Sequence, residues 1–425
     1  MRVWLITIGE PLPTYGTGDR LHRTGQLASR LVSEGHRVVW WSSTFDHARK
    51  RYRFRTDTWV DVTSQYRICL LHPRIGYSGH VSFARIVNHY LVAERFRRFA
   101  SKEPVPDVIL CSLPTLELSV EATSYGRRNA VPVVIDARDM WPDIFLDPVP
   151  GMVRPIAELA LQPLRMMARR ACSRASAIVG ITPGFVEWAL RYAGRERTAL
   201  DRDFPFAYAE PKFPEADLSH SVGRWASMDV TKDKFVVCFF GALGRQFDLD
   251  TVIGAARILS GQERGFLFVL CGAGDRLDYY KRLAAGCPNV LFPGWIGAAD
   301  IWALMRLASV GLAPYRSSPN FIVHIPNKPI EYLCGGLPVV SSLKGTLAEL
   351  LSAQRCGITY ENGNAKSLAT LMKELYDNPD RRAEMSKNAR ALYESRYEAE
   401  TVYHDMVDHL TRVCLSTRHA ADAIS

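Results

Sequence analysis

Short apolar, β-branched runs alternate with amphipathic stretches from one end of the chain to the other. VWLITI (3–8), RVVWWSS (37–43), DVILCS (107–112), PVVID (132–136) and AIVGIT (177–182) have the length and composition of buried strands. Between the first two, HRTGQLASRLVSEGH places Leu27, Ala28 and Leu31 on one helical face, and Gly35 supplies a stop. Strand, helix and strand in that order predict a β-α-β unit and so a parallel sheet. A second series begins with KFVVCFFG (234–241) and continues through FLFVLCG (266–272), NVLF (289–292), SVGLAP (309–314), LPVVSS (337–342) and GITYE (357–361). Helical patterns such as LDTVIGAARILSG, DIWALMRLAS and KSLATLMKELYD separate its members. The prediction is an α/β protein with two Rossmann-like domains, residues 1–203 and 204–385. The proline-rich RDFPFAYAEPKFPEADLSHS (202–221) reads as the linker. Beyond DNPDRR one long helical pattern, residues 386–415, is expected to return toward the first domain, leaving 416–425 as a tail.

A length of 425 residues suits two domains. No apolar run reaches the ~18–20 residues that a bilayer demands, and MRVWLITIGEP reads as a first strand rather than a leader. Nine scattered cysteines without a CxxC signal neither a disulfide framework nor a zinc site, and they imply a reducing, cytoplasmic compartment. The net charge of +9 is unevenly held. Residues 1–200 carry 28 Lys+Arg against 18 Asp+Glu, whereas the remainder carries 25 against 26. A basic first half fits an anionic partner, and equally a solvated basic surface. No aromatic-basic reader module marks the chain for nucleic acid.

In parallel sheets, ligands meet the loops that follow strands, so candidate chemistry is sought there. After the first strand, Gly16, Thr17 and Gly18 precede a helix and can offer backbone N–H groups to a diphosphate, or simply turn. The third glycine and strand-end acid of a dinucleotide fingerprint are missing, which disfavours a dehydrogenase. DARDMWPDIF gathers Asp136, Arg138, Asp139 and Asp143 at another strand end, as a site or as a salt bridge. GALGRQFDLD offers Gly241 and Gly244 for close backbone approach and Arg245 for a phosphate. Its Asp248-Leu249-Asp250 reads as a helix cap rather than a metal-diphosphate motif. GAGDRL adds Gly272 and Gly274. In IPNKPIEYLCGGLPVVSS, prolines stiffen the backbone around Asn327 and Lys328. Glu331 can take two hydrogen bonds from a ribose diol while Lys328 faces phosphate; the alternative is a surface Lys–Glu pair.

These features, with LASRLVSEGHRVVWW, ARDMWP, AIVGITPGF, PNVLFPGW and EYLCGGLPVVSS, resemble the glycosyltransferases of family 4 as far as about residue 410. That resemblance implies the GT-B fold, two Rossmann-like domains facing a cleft with a C-terminal helix across both. It implies metal-independent, retaining transfer of a hexosyl or N-acetylaminosugar unit from a nucleotide-diphosphate sugar, with no cofactor. It places Glu331 on the ribose, Arg245 and Lys328 on the diphosphate, and Ile296, His324 and Asn327 around the donor. Arg138 and Asp139 stand where the family has a His-Asp pair, and Val323 where it has a first glutamate. PNK…EY with RDxWP is similar to the branch acting on amino- and deoxy-sugars of bacterial surface polysaccharides. An acceptor linked to polyprenyl diphosphate would use the basic first half against an anionic inner-membrane surface. In LRMMARRACSRA, Leu164, Met167, Ala168 and Ala171 share one face; in segment 83–102, Phe83, Ile86 and Tyr90 lie opposite Val92 and Phe96. A GT-B epimerase and a non-catalytic GT-B scaffold are the competing readings.

Overall fold

The computed structural model describes residues 1–14, 20–79, 82–262 and 265–422; Gly16, Thr17 and Gly18 lie outside them. The chain divides into two compact units, Met1–Pro205 with Glu400–Ser425, and Phe206–Ala399.

In the first unit the strands are β1 (Arg2–Ile6), β2 (Arg37–Ser43), β3 (Phe45–Asp46), β4 (Arg51–Tyr52), β5 (Thr58–Thr63), β6 (Tyr66–Leu71), β7 (Val108–Leu113), β8 (Val133–Ala137), β9 (Ala177–Gly180) and β10 (Arg202–Asp203). Eight of them form one sheet in the order β10-β9-β8-β7-β1-β2-β6-β5, parallel throughout except for the antiparallel β5–β6 pair. β3 and β4 make a separate two-stranded ribbon. Strands covered on both faces read as unbroken apolar runs, and β1 and β7–β9 are buried almost throughout. Edge-on aromatic contacts knit the core, with the Trp4 and Trp41 centroids 5.1 Å apart.

The second unit holds β11 (Phe235–Phe240), β12 (Phe266–Cys271), β13 (Val290–Leu291), β14 (Val310–Ala313), β15 (Val339–Ser341) and β16 (Gly357–Thr359). They form an all-parallel sheet in the order β13-β12-β11-β14-β15-β16. This is a doubly wound order, which reverses between β11 and β14. All nine cysteines are buried thiols, four of them within strands. No helix among the described residues is long and apolar enough to cross a membrane.

Three local expectations change. Much of the 202–221 segment is ordered structure: Arg202–Asp203 extends the first sheet, and a helix runs from Glu215 to Ser227. Only Ser221 and Trp225 of that helix are buried, so its apolar stripe is too thin to show in the sequence. Trp225 fixes it by donating its indole N–H to the Asp300 carbonyl at 2.9 Å. The long C-terminal helical pattern is two helices, Pro379–Arg396 and Ala399–Asp422. Between them Tyr397 leaves the helix to accept a backbone hydrogen bond from Tyr208 at 3.0 Å. The second helix continues through Asp422, beyond the expected end near 415.

Candidate functional site

The reversal point of the second sheet carries the donor-side candidates. β11 runs out at Phe240 into the turn Gly241–Phe247, whose Gly241 has φ +150°. Against that turn lies the loop after β12. Leu243 donates its backbone N–H to Ala273 at 2.9 Å and Arg276 donates to Leu243 at 3.2 Å. A Cβ on Gly272, φ +135°, would sit 1.8 Å from the Gly241 carbonyl oxygen. One on Gly274 would sit 2.4 Å from that of Leu243. These two glycines therefore hold the loops in register, a packing duty distinct from touching a ligand. Gly272→Ala is expected to destabilise the second unit by roughly 3 kcal/mol through overpacking and backbone strain. An unchanged urea midpoint would show that the loops can separate freely.

Lys328 reaches the same turn. It stands in the first turn of the Asn327–Cys334 helix, and a Cβ on Gly241 would come within 2.4 Å of its Nζ. Its ammonium sits 5.1 Å from the Phe247 ring centroid and 5.6 Å from that of Phe239. Burial pushes the Lys328 pKa below the ordinary value, while Glu331, one turn along, pulls it back up. Among the described residues no carboxylate forms an ion pair with it. The helix is held by Tyr332, whose hydroxyl donates to the Leu312 carbonyl at 2.9 Å, and by Arg390, which donates to Cys334 O at 2.7 Å.

The remaining candidates are distributed around this core. Arg245 and Asn327 are exposed, Glu331 and His324 are partly buried, and Ile296 is buried beside the exposed Trp295. His324 lies between the Phe206 and Phe321 rings, and desolvation lowers its pKa to about 4, leaving a neutral imidazole at pH 7. Asp248 caps the Leu249–Leu259 helix, accepting from Thr251 Oγ1 at 2.7 Å. Asp250 accepts from Tyr279 at 2.6 Å and from Arg316 at 3.0 Å. The DxD pair is thus committed to local structure.

In the first unit the sheet order reverses between β1 and β7. Here the acids of DARDMWPDIF separate into three environments. Asp136 is wholly buried and accepts from Arg138 Nε at 2.7 Å and from Arg23 Nε at 3.0 Å. Arg138 also pairs with Glu10, which accepts from Thr24 Oγ1 at 2.7 Å. Burial alone would raise the Asp136 pKa, but Arg138 and Arg23 outweigh it and hold the carboxyl below the usual range. Asp143 is fixed by Arg165, by Trp188 Nε1 at 2.9 Å and by the Tyr192 hydroxyl at 2.9 Å. Among the described residues Asp139 has no side-chain partner of that kind: desolvation raises its pKa to about 6, against weaker opposing effects of the Met140 backbone N–H and of Arg85. Glu10, Arg23 and Thr24 were not singled out from sequence. Glu10 closes the first apolar run and Arg23 opens the next helix, but their pairing with residues beyond 130 leaves no local pattern.

Residues 226–392 match the family described as glycosyl transferases group 1. No curated protein matches the chain significantly. Among solved structures it is similar to sucrose-phosphate synthase from Thermosynechococcus elongatus, at 16% identity and TM-score 0.72, covering 98% of this chain and 99% of that one. It is similar to HepE from Anabaena in complex with UDP-glucose, at 17% identity and TM-score 0.64, covering 97% and 100%. It is also similar to WaaG, a glycosyltransferase involved in lipopolysaccharide biosynthesis, at 13% identity and TM-score 0.65, with the same coverage. The architecture shared over nearly the whole chain is the GT-B fold.

Proposed function

We propose that the protein transfers a sugar from a nucleotide-diphosphate donor, bound by the second unit, to a hydroxyl of an acceptor bound by the first, with retention of anomeric configuration. The observation that carries this reading is the Lys328 ammonium against Gly241 at the reversal point of a doubly wound sheet. A desolvated cation beside a glycine-lined turn suits the departing diphosphate of such a donor. Arg245 and the N-terminus of the Asn327–Cys334 helix would add to the neutralisation without a metal. Glu331 would hold the ribose hydroxyls, and Asn327, His324, Ile296, Gly241 and Gly244 would surround the rest of the donor, with Gly272 and Gly274 keeping the two loops in register. In the step proposed, the bond from the anomeric carbon to the diphosphate oxygen breaks. The acceptor oxygen bonds to that carbon on the same face, and its proton passes to the leaving diphosphate. Arg138 and Asp139 are assigned to the acceptor side. The match to glycosyl transferases group 1 and the UDP-glucose held by HepE support the donor class.

For the acceptor we favour a lipid-linked glycan of a surface polysaccharide, a reading supported by the likeness to WaaG. The first unit exposes Phe83, Ile86 and Tyr90 on one face of the Phe83–Ala100 helix. Ile156, Leu159 and Met166 are exposed further along, and Arg97, Arg169 and Arg170 are exposed on the same helices as Tyr90 and Met166. Apolar side chains among arginines suit a membrane surface of anionic lipid. The protein should float with anionic vesicles at low salt and much less at high salt; absence from anionic vesicles at low salt would remove the membrane from this account.

Thermal shifts with UDP-, GDP- and dTDP-sugars test the donor assignment. One nucleotide should raise the Tm, and Glu331→Gln should weaken that nucleotide by about tenfold, the worth of one or two hydrogen bonds to a charged acceptor. A non-transferring scaffold, favoured by Val323 in place of the family's glutamate, predicts no shift with any of them.

A further inference from the structure

A second cationic cluster lies in the first unit, between the turn of the antiparallel β3–β4 ribbon and the start of the helix that follows β6. Lys50 follows the β3 segment and Arg85 stands in the first turn of the Phe83–Ala100 helix. The two converge on one ring: the Lys50 ammonium is 5.0 Å and the Arg85 guanidinium 5.8 Å from the Tyr77 centroid. Arg85 also covers the face of Trp141 at 4.6 Å. His47 lies 2.8 Å from the Tyr77 hydroxyl and 3.4 Å from Lys50 Nζ.

The acid nearest Lys50 is engaged elsewhere. Lys50 forms no ion pair among the described residues. Asp46, which attracts it through space, is occupied by Arg53 at 2.9 Å, Arg49 at 3.2 Å and two backbone N–H groups. Glu117 and Asp139 attract the Arg85 guanidinium, and burial raises their own pKa values to about 7 and about 6. His89, 3.7 Å from Glu117, is held neutral by burial and by Arg85. Lys50 itself adopts φ +53°, a left-handed conformation uncommon for a lysine.

We propose that Lys50 and Arg85, set over Tyr77 and Trp141, bind a phosphate group carried by the acceptor. The two cations supply the charge, the Tyr77 hydroxyl and His47 supply polar contacts, and the Trp141 and Tyr77 rings offer flat apolar faces to an attached sugar. The inference rests on the reading that the first unit receives the acceptor. Phosphate is the shared chemistry of two sources, a lipid-linked diphosphate and a soluble sugar phosphate.

Titration calorimetry of the full chain with inorganic pyrophosphate tests it. Two binding events are expected, one for this cluster and one for the donor site. Lys50→Met should weaken one at least tenfold without lowering the Tm, since Lys50 is only partly buried, and Lys328→Met should weaken the other. The proposal is overturned if no event depends on Lys50. Loss in Lys328→Met alone would overturn it while leaving the donor reading intact. Loss in Lys50→Met alone would support it while removing the donor reading. Repeating the titration with farnesyl diphosphate and with glucose 6-phosphate identifies the source, as the tighter ligand at the Lys50-dependent event.

Discussion

Replacing Lys328 by methionine is expected to lower kcat/KM for the donor by about 10²–10³, the usual cost of removing one preorganised charge from a leaving group. The fold should not suffer. Methionine keeps an unbranched stem of similar length; it gives up the ammonium's weak attraction to the Phe239 and Phe247 rings but also removes a charge whose desolvation already lowers its pKa. The Tm should therefore stay level or rise by a few degrees. Loss of activity with retained stability is the signature of a group held in place for chemistry, because a purely structural lysine would lose both or neither. Donor transfer measured alongside a thermal melt decides it, and wild-type turnover in the variant would remove Lys328 from the reaction. Arginine at this position should restore little, since the bulkier fork must fit where a Cβ on Gly241 would already lie 2.4 Å from the ammonium.

Asp136→Asn is expected to destabilise the first unit by about 3–5 kcal/mol, with the effect read from a urea or thermal melt. The substitution keeps the shape but removes the charge shared by two arginines. Arg23 and Asp136 are nearly inaccessible to water, so no solvent takes the carboxylate's place. The pH dependence has a definite sign. Asp136 is held below its usual pKa in the folded chain, so its contribution is present above the ordinary carboxylate range and is lost as pH falls through the lowered value. Asp136→Asn should therefore flatten the acid limb of the stability profile. A loss below about 1 kcal/mol would show that the two arginines find other partners. The same lattice complicates any test of Arg138, because its removal leaves Glu10 and Asp136 undercompensated and disturbs folding along with chemistry. Asp139→Asn is the cleaner probe of the acceptor side, since that carboxyl already inclines toward protonation.

Much of the architecture was legible because parallel strands buried on both faces must be apolar without interruption. VWLITI, KFVVCFFG and FLFVLCG each became a sheet strand within a residue or two of the expected ends. The β5–β6 hairpin was missed: it pairs antiparallel at the sheet edge, where β5 is half exposed and carries a mixed pattern. Asp248 as a helix cap was legible because caps are local, a side chain meeting a backbone N–H three residues on.

The site divides along the same line. Sequence determined which loops follow strands, which of them carry glycines, and that Lys328 and Glu331 share a helix one turn apart. Only the tertiary structure decided that Gly272 and Gly274 serve loop packing, that Lys328 stands against Gly241, and that Arg138 joins Glu10 and Asp136 in a buried lattice. The reason is one of range. Helix faces, caps and strand alternation arise between residues a few positions apart, so they leave a period in the chain. A desolvated charge and its partner are brought together by sheet order, which joins positions as distant as Glu10 and Arg138 with nothing periodic between them.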